Sequence, residues 1–132
     1  MMREAALVVG EGGEVLHRHS PAGRTTVSLP DSRDLWAVLW EHRARIVGVA
    51  HTHPGVGTPR PSWEDLTTFA AVEDGLGRRL IWWIASADGL AAFGWSGPDR
   101  YVYGPVDPGE AGWLVELRAL SGFVRAGQGG VW

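Results

Sequence analysis

His51-Thr52-His53-Pro54, followed by Pro61-Ser62-Trp63-Glu64-Asp65, is the stretch on which the reading of this chain turns. The run before it, Ile46-Val47-Gly48-Val49-Ala50, is apolar, rich in β-branched residues and without a helical period, which predicts a buried strand ending in both histidines. Side chains two apart on an extended chain point the same way, with Cα atoms roughly 6–7 Å apart. Two imidazoles so placed can converge on one ion at about 2.0–2.1 Å each, so His51 and His53 are a candidate metal pair.

A third ligand is needed, and Asp65 lies where a helix should begin, since Leu66, Phe69, Ala70 and Val72 follow at roughly helical spacing. Pro61 and Ser62 read as the helix start. A loop rich in Gly and Pro, Pro54 to Pro61, would fold the chain back so that the first turn of this helix faces the strand end. Two neutral nitrogens and one carboxylate leave a fourth position open, which is how a catalytic rather than a structural zinc is held. Ser62-x-x-Asp65 is also close to a helix capping box, in which the serine caps and the acid reaches back. What separates the two readings is the pair of histidines a dozen residues upstream.

The stretch resembles the JAMM motif of the MPN+ metalloprotease family, which runs H-[S/T]-H-P, a short spacer, then P-S-x-x-D. The spacer here, Pro54 to Pro61, is one residue longer than is usual in that family. The resemblance implies an α/β chain forming a single MPN-like (cytidine-deaminase-like) domain, a mixed central β-sheet flanked by helices. It also implies one Zn2+ per chain on His51, His53 and Asp65. The family has a glutamate just before the first strand that takes the proton of the attacking water, and Glu4, immediately before Ala5-Ala6-Leu7-Val8-Val9, stands at that place; Glu11 and Glu14 are the fallback candidates. The resemblance also implies that the Ser62 hydroxyl steadies the oxyanion. Thr52, between the ligands, points to the opposite face and reads as structural.

The remaining composition sets bounds. A chain of 132 residues fits one domain with a single core, expected over 1–123 with a flexible tail over 124–132. The absence of cysteine rules out disulfides, a thiol nucleophile and thiolate-bound zinc, leaving five histidines as the soft metal donors. A formal charge of −3 without a basic cluster argues against a nucleic-acid footprint. No apolar run is long enough to span a membrane, and Ala5 to Val9 is too short for a signal peptide, so the chain reads as cytoplasmic.

In chain order, Ala5–Val9 and Glu14–His19 are predicted strands around the turn Gly10–Gly13, with a third strand over 25–29 after the turn Pro21-Ala22-Gly23. Asp31 to Asp34 offers caps for a helix running to about Arg45 with Leu35, Val38 and Leu39 on its apolar stripe. The motif helix is expected to end near Gly75-Leu76-Gly77. Leu80–Ala85 is a fully apolar central strand, Asp88-Gly89 a hairpin turn, and Leu90–Trp95 and Tyr101–Tyr103 complete the sheet. A last helix over 109–123 carries Trp113, Leu117 and Leu120 on one side.

His17-Arg18-His19 is a second H-x-H on a predicted strand, but no acid follows at a spacing that would complete a site, and the pair is expected to face solvent, as is His42. Of the eight tryptophans, Trp36, Trp82 and Trp113 are expected in the core or at helix contacts. Trp63, beside Ser62, is the candidate for gripping a substrate chain. The resemblance implies a zinc peptidase or isopeptidase acting at the C-terminal tail of a ubiquitin-like or sulfur-carrier protein, with E1-like or E2-like proteins as possible pathway partners. The alternatives are a catalytically silent MPN scaffold and a RadC-like protein.

Overall fold

The computed structural model describes residues 4–20 and 33–123. The predicted strand over 25–29, the turn before it, the caps at Asp31 and Ser32 and the tail over 124–132 lie outside the described residues. The elements run β1 (Ala6–Gly10), a 3-10 turn (Glu11–Gly13), β2 (Val15–His19), α1 (Arg33–Glu41), β3 (Ile46–Thr52), α2 (Trp63–Leu76), β4 (Ile81–Ala85), β5 (Leu90–Trp95), β6 (Tyr103–Val106) and α3 (Leu114–Leu120).

The strands form one sheet in the order β2-β1-β3-β4-β5-β6. Only β3 and β4 are parallel, and α2 makes the crossover between them that a parallel pair requires; the other four pairings are antiparallel. Alternation along the strands divides the core in two. On one face Ala6, Val8, Val49, Trp82, Ile84 and Phe93 pack under Leu35, Val38 and Leu39 of α1 and Leu66, Phe69, Val72 and Leu76 of α2. On the other, Leu7, Val9, Ala50, Trp83 and Ala92 pack under Trp113, Leu114, Leu117 and Leu120 around α3. This is the mixed sheet flanked by helices that the sequence predicts. Among the described residues, no helix is long and apolar enough to cross a membrane.

Three elements depart from their expected bounds. The helix α1 stops at Glu41 and not near Arg45, since residues 42–45 form turns that lead into β3. The last helix begins at Leu114, not near Gly109, because Gly109 and Gly112 are poor helix formers and Trp113 becomes its N-cap; Trp113 and Leu117 are buried on one side as expected. The final strand is Tyr103–Val106, since Tyr101 and Val102 belong to a turn in which Val102 N–H donates to the Asp99 carbonyl at 3.2 Å. Pro105 is accommodated in β6 because β6 is the sheet edge, where a missing N–H breaks no ladder on its outer side.

A buried acid that patterning does not reveal holds this architecture together. Glu73 of α2 is 3% exposed. Its carboxylate accepts from Leu80 N–H at 3.0 Å, Trp82 Nε1 at 2.8 Å, Arg79 Nη1 at 2.9 Å and the Tyr103 hydroxyl. One side chain thus ties α2 to β4 and β6. Truncation would strand those donors in the core, so Glu73→Ala should destabilise the fold by about 3–5 kcal/mol in urea unfolding; a loss below about 1 kcal/mol would show that the cluster is not a structural hub.

Candidate metal centre

The site forms where β3 runs out. His51 lies in β3 opposite Ala6 of β1 and Ile84 of β4. His53 follows one step beyond the strand, its N–H donating to the Ala85 carbonyl at 2.9 Å. Period-two alternation sends both rings to the face covered by α2, and Phe69 of that helix meets the His51 ring edge-on, with centroids 6.2 Å apart. The chain then folds back to Ser62, the N-cap of α2, and α2 closes at Gly77, whose φ of 72° is the left-handed cap the Gly75-Leu76-Gly77 signal predicts.

Asp65 occupies the third position of α2. His51 Nε2 is 3.2 Å from His53 Nε2 and 3.3 Å from Asp65 Oδ1, and His53 Nε2 is 2.9 Å from Asp65 Oδ2. Ligand atoms held about 2.0–2.1 Å from a tetrahedral centre stand about 3.3 Å from one another, so this triangle fits one zinc-sized ion with its fourth position open. Among the described residues, His51, His53 and Asp65 are the group of three whose ligand atoms lie within 4.8 Å of one another.

The capping-box reading holds as well. Ser62 Oγ accepts from Asp65 N–H at 3.1 Å, and Asp65 Oδ2 accepts from Ser62 N–H at 2.9 Å. One carboxylate therefore both caps α2 and faces the two histidines. The Ser62 cap uses the hydroxyl oxygen as acceptor and leaves its proton available to a ligand.

The charges are coupled. Burial alone would raise Asp65, but hydrogen bonds from His51 and His53, the His51 charge and the Ser62 N–H together hold it far below the usual carboxylate range. His53 is raised: burial would lower it, and the hydrogen bond and charge of Asp65 with the charge of Glu4 outweigh that. Glu4 is 4% exposed, and two residues after it Ala6 lies opposite His51. Burial, opposed by His53 and reinforced by Asp65 and Glu64, pushes its carboxyl up to about 7. The fallback acids lie at the far end of β1, where Glu11 and Glu14 are both exposed and Glu14 pairs with Arg45 at 2.6 Å. Thr52 sits on the opposite face as expected, fully buried, accepting from Ala5 N–H at 3.0 Å and 2.6 Å from Ser121 Oγ; this anchors the backbone beside Glu4.

The second histidine pair behaves differently from expectation. His17 and His19 lie opposite Val8 and Ala6, on the covered face of the sheet, and His19 is 4% exposed. The H-x-H spacing lies on a strand, as predicted, but which face of β2 is covered depends on its register with β1. Trp63 is 64% exposed, and its ring meets that of Tyr101 with centroids 5.0 Å apart. Sequence reasoning missed Tyr101, which the turn before β6 brings back to the start of α2.

Residues 4–96 match the family described as prokaryotic homologs of the JAB domain. No curated protein matches the chain. The match begins at Glu4, takes in all three candidate ligands, and spans well over half of the sequence. The chain belongs to the prokaryotic JAB-domain family, and its His-His-Asp cluster fits a JAMM-like metal site.

Proposed function

We propose that the chain is a zinc-dependent peptidase or isopeptidase that hydrolyses an amide bond at the C-terminal tail of a ubiquitin-like or sulfur-carrier protein. The observation that carries this reading is the convergence of His51, His53 and Asp65 beside the buried Glu4. Bound there, zinc supplies Lewis acidity that polarises a carbonyl and lowers the pKa of water toward about 7.

The chain's own residues supply the rest. Glu4 takes one proton of the attacking water as the new C–O bond forms, then gives it to the amide nitrogen as the C–N bond breaks, leaving an amine and a carboxylic acid that ionises by losing water's other proton to solvent. The Ser62 hydroxyl proton, not used by the cap, donates to the carbonyl oxygen as it gains charge. Ser62→Ala should therefore cost turnover about 10²–10³-fold while the metal stays; unchanged turnover in a steady-state assay would remove Ser62 from the chemistry.

The exposed Trp63, with the half-buried Tyr101 against it, offers an aromatic ledge at the start of the ligand helix, suited to an extended tail that binds chiefly through main-chain hydrogen bonds and a few side-chain contacts. Small residues beside the cut bond, as in a C-terminal Gly-Gly, fit such a threaded path best. Trp63→Ala should raise KM more than it lowers kcat, the sign of lost uniform binding. The testing experiment incubates the zinc-loaded protein with a panel of tail-fused proteins and peptides varied at the last two tail positions. Preferred cleavage after Gly-Gly supports the reading, and cleavage indifferent to bulky residues there contradicts it.

A further inference from the structure

The backbone between His53 and Ser62 has few side chains able to hold it in place, yet it sets the distance between the strand ligands and the helix ligand. It is held from outside, by the turn between β4 and β5. Ser86 Oγ donates to the Gly57 carbonyl at 2.5 Å, and Asp88 Oδ1 accepts from Gly57 N–H at 2.6 Å, so both polar groups of one peptide-bearing residue are gripped. Ala87 N–H donates to the Gly55 carbonyl at 3.1 Å. The approach is close enough that a Cβ on Gly89 would come within 2.2 Å of the Gly57 oxygen, which explains glycine at that place in the turn.

The turn is itself braced. Ser86 N–H donates to the Gly89 carbonyl at 3.0 Å, and Gly89 N–H donates to Ser86 Oγ at 2.9 Å. From α3, Arg118 Nε donates to the Ser86 carbonyl at 3.0 Å and Nη2 to the Gly89 carbonyl at 3.1 Å. Ser86 is 2% exposed, so its bonds are shielded from competing water. This bracing reaches outside the family-matched residues, because Arg118 lies beyond position 96.

We propose that Ser86 and Asp88 are positioning residues for the metal centre: by pinning the backbone of Gly57 they hold His53 and Asp65 at the spacing at which one ion is bound. The proposal rests on the metal-site reading above. An unpinned spacer rich in Gly and Pro would let its two ends adopt a range of separations, and a site that must be ordered on binding holds its ion more weakly. Partners that orient ligands without touching the metal are worth about 10–100-fold in affinity.

The test is zinc titration of the metal-free full chain against a chelating dye. Ser86→Ala and Asp88→Ala should each weaken zinc binding about 10–100-fold, whereas Asp88→Asn, whose Oδ1 still accepts from Gly57 N–H, should bind like wild type. A purely structural role for the turn would not separate Asp88→Asn from Asp88→Ala in zinc affinity while their unfolding midpoints agree. Wild-type affinity in both alanine variants, or equal weakening in Asp88→Asn and Asp88→Ala, overturns the proposal while leaving the metal site standing. Failure of the wild-type chain to bind zinc overturns the site and the proposal together.

Discussion

Glu4→Gln should lower turnover by about 10²–10⁴-fold, the usual worth of a general base, and leave zinc bound, because Glu4 is outside the ligand triangle. Glu11→Gln and Glu14→Gln should turn over like wild type, since both acids are exposed at the other end of β1. A wild-type rate in Glu4→Gln with a dead Glu11 or Glu14 variant would move the base elsewhere. The same substitution has a second readout in the metal-free protein. Glu4 is raised from 4.5 to about 7, chiefly by burial. A carboxyl whose folded-state pKa exceeds its unfolded value contributes its full stability below the unfolded pKa and loses it as pH rises through the folded one. At about 1.36 kcal/mol per unit, ionised Glu4 then costs the metal-free fold roughly 3 kcal/mol above the pKa of about 7. Metal-free Glu4→Gln should therefore resist urea better than wild type at about pH 8 and match it at about pH 4. Equal midpoints at both pH values would mean that Glu4 ionises as a solvated acid.

Asp65→Ala should remove zinc altogether and also weaken the start of α2, because the same carboxylate is the candidate third ligand and half of the capping box. Ser62→Gly separates the two effects, loosening the cap by a few tenths of a kcal/mol while keeping the ligand. Acidification should act on the same bond. The ligand imidazoles must be neutral to bind metal, and His53 is raised above its ordinary value in the metal-free chain, so zinc affinity should begin to fall on acidification at a higher pH than an unperturbed histidine would set. Zinc affinity measured against pH checks this; affinity that stays flat through the ordinary histidine range would exclude His53 as a ligand.

Much of this was legible in residue order. The run Ile46 to Ala50 reads as a buried strand because it is apolar on both faces, and it is the strand on which the parallel pair of the sheet is built. The spacing of His51, His53 and Asp65 carried the site, because one strand end, one loop and one helix start are local structures. What was not legible depends on register or on distant partners. Whether His19 faces solvent is decided by Ala6 across the sheet. Glu73 looks like any helix acid until Leu80, Trp82 and Tyr103 close over it. Tyr101, Ser86 and Arg118 reach the site or its loop only after the sheet has folded. Glu4 is intermediate: its place before β1 is a matter of order, but its burial and raised pKa come from tertiary packing.

Zinc content of the purified protein, measured beside single histidine variants, tests the metal centre most directly. About one zinc per chain is expected for the wild type, none in His51→Ala or His53→Ala, and wild-type content in His17→Ala and His19→Ala. Full occupancy in His53→Ala, with zinc lost from a His17 or His19 variant, would contradict it.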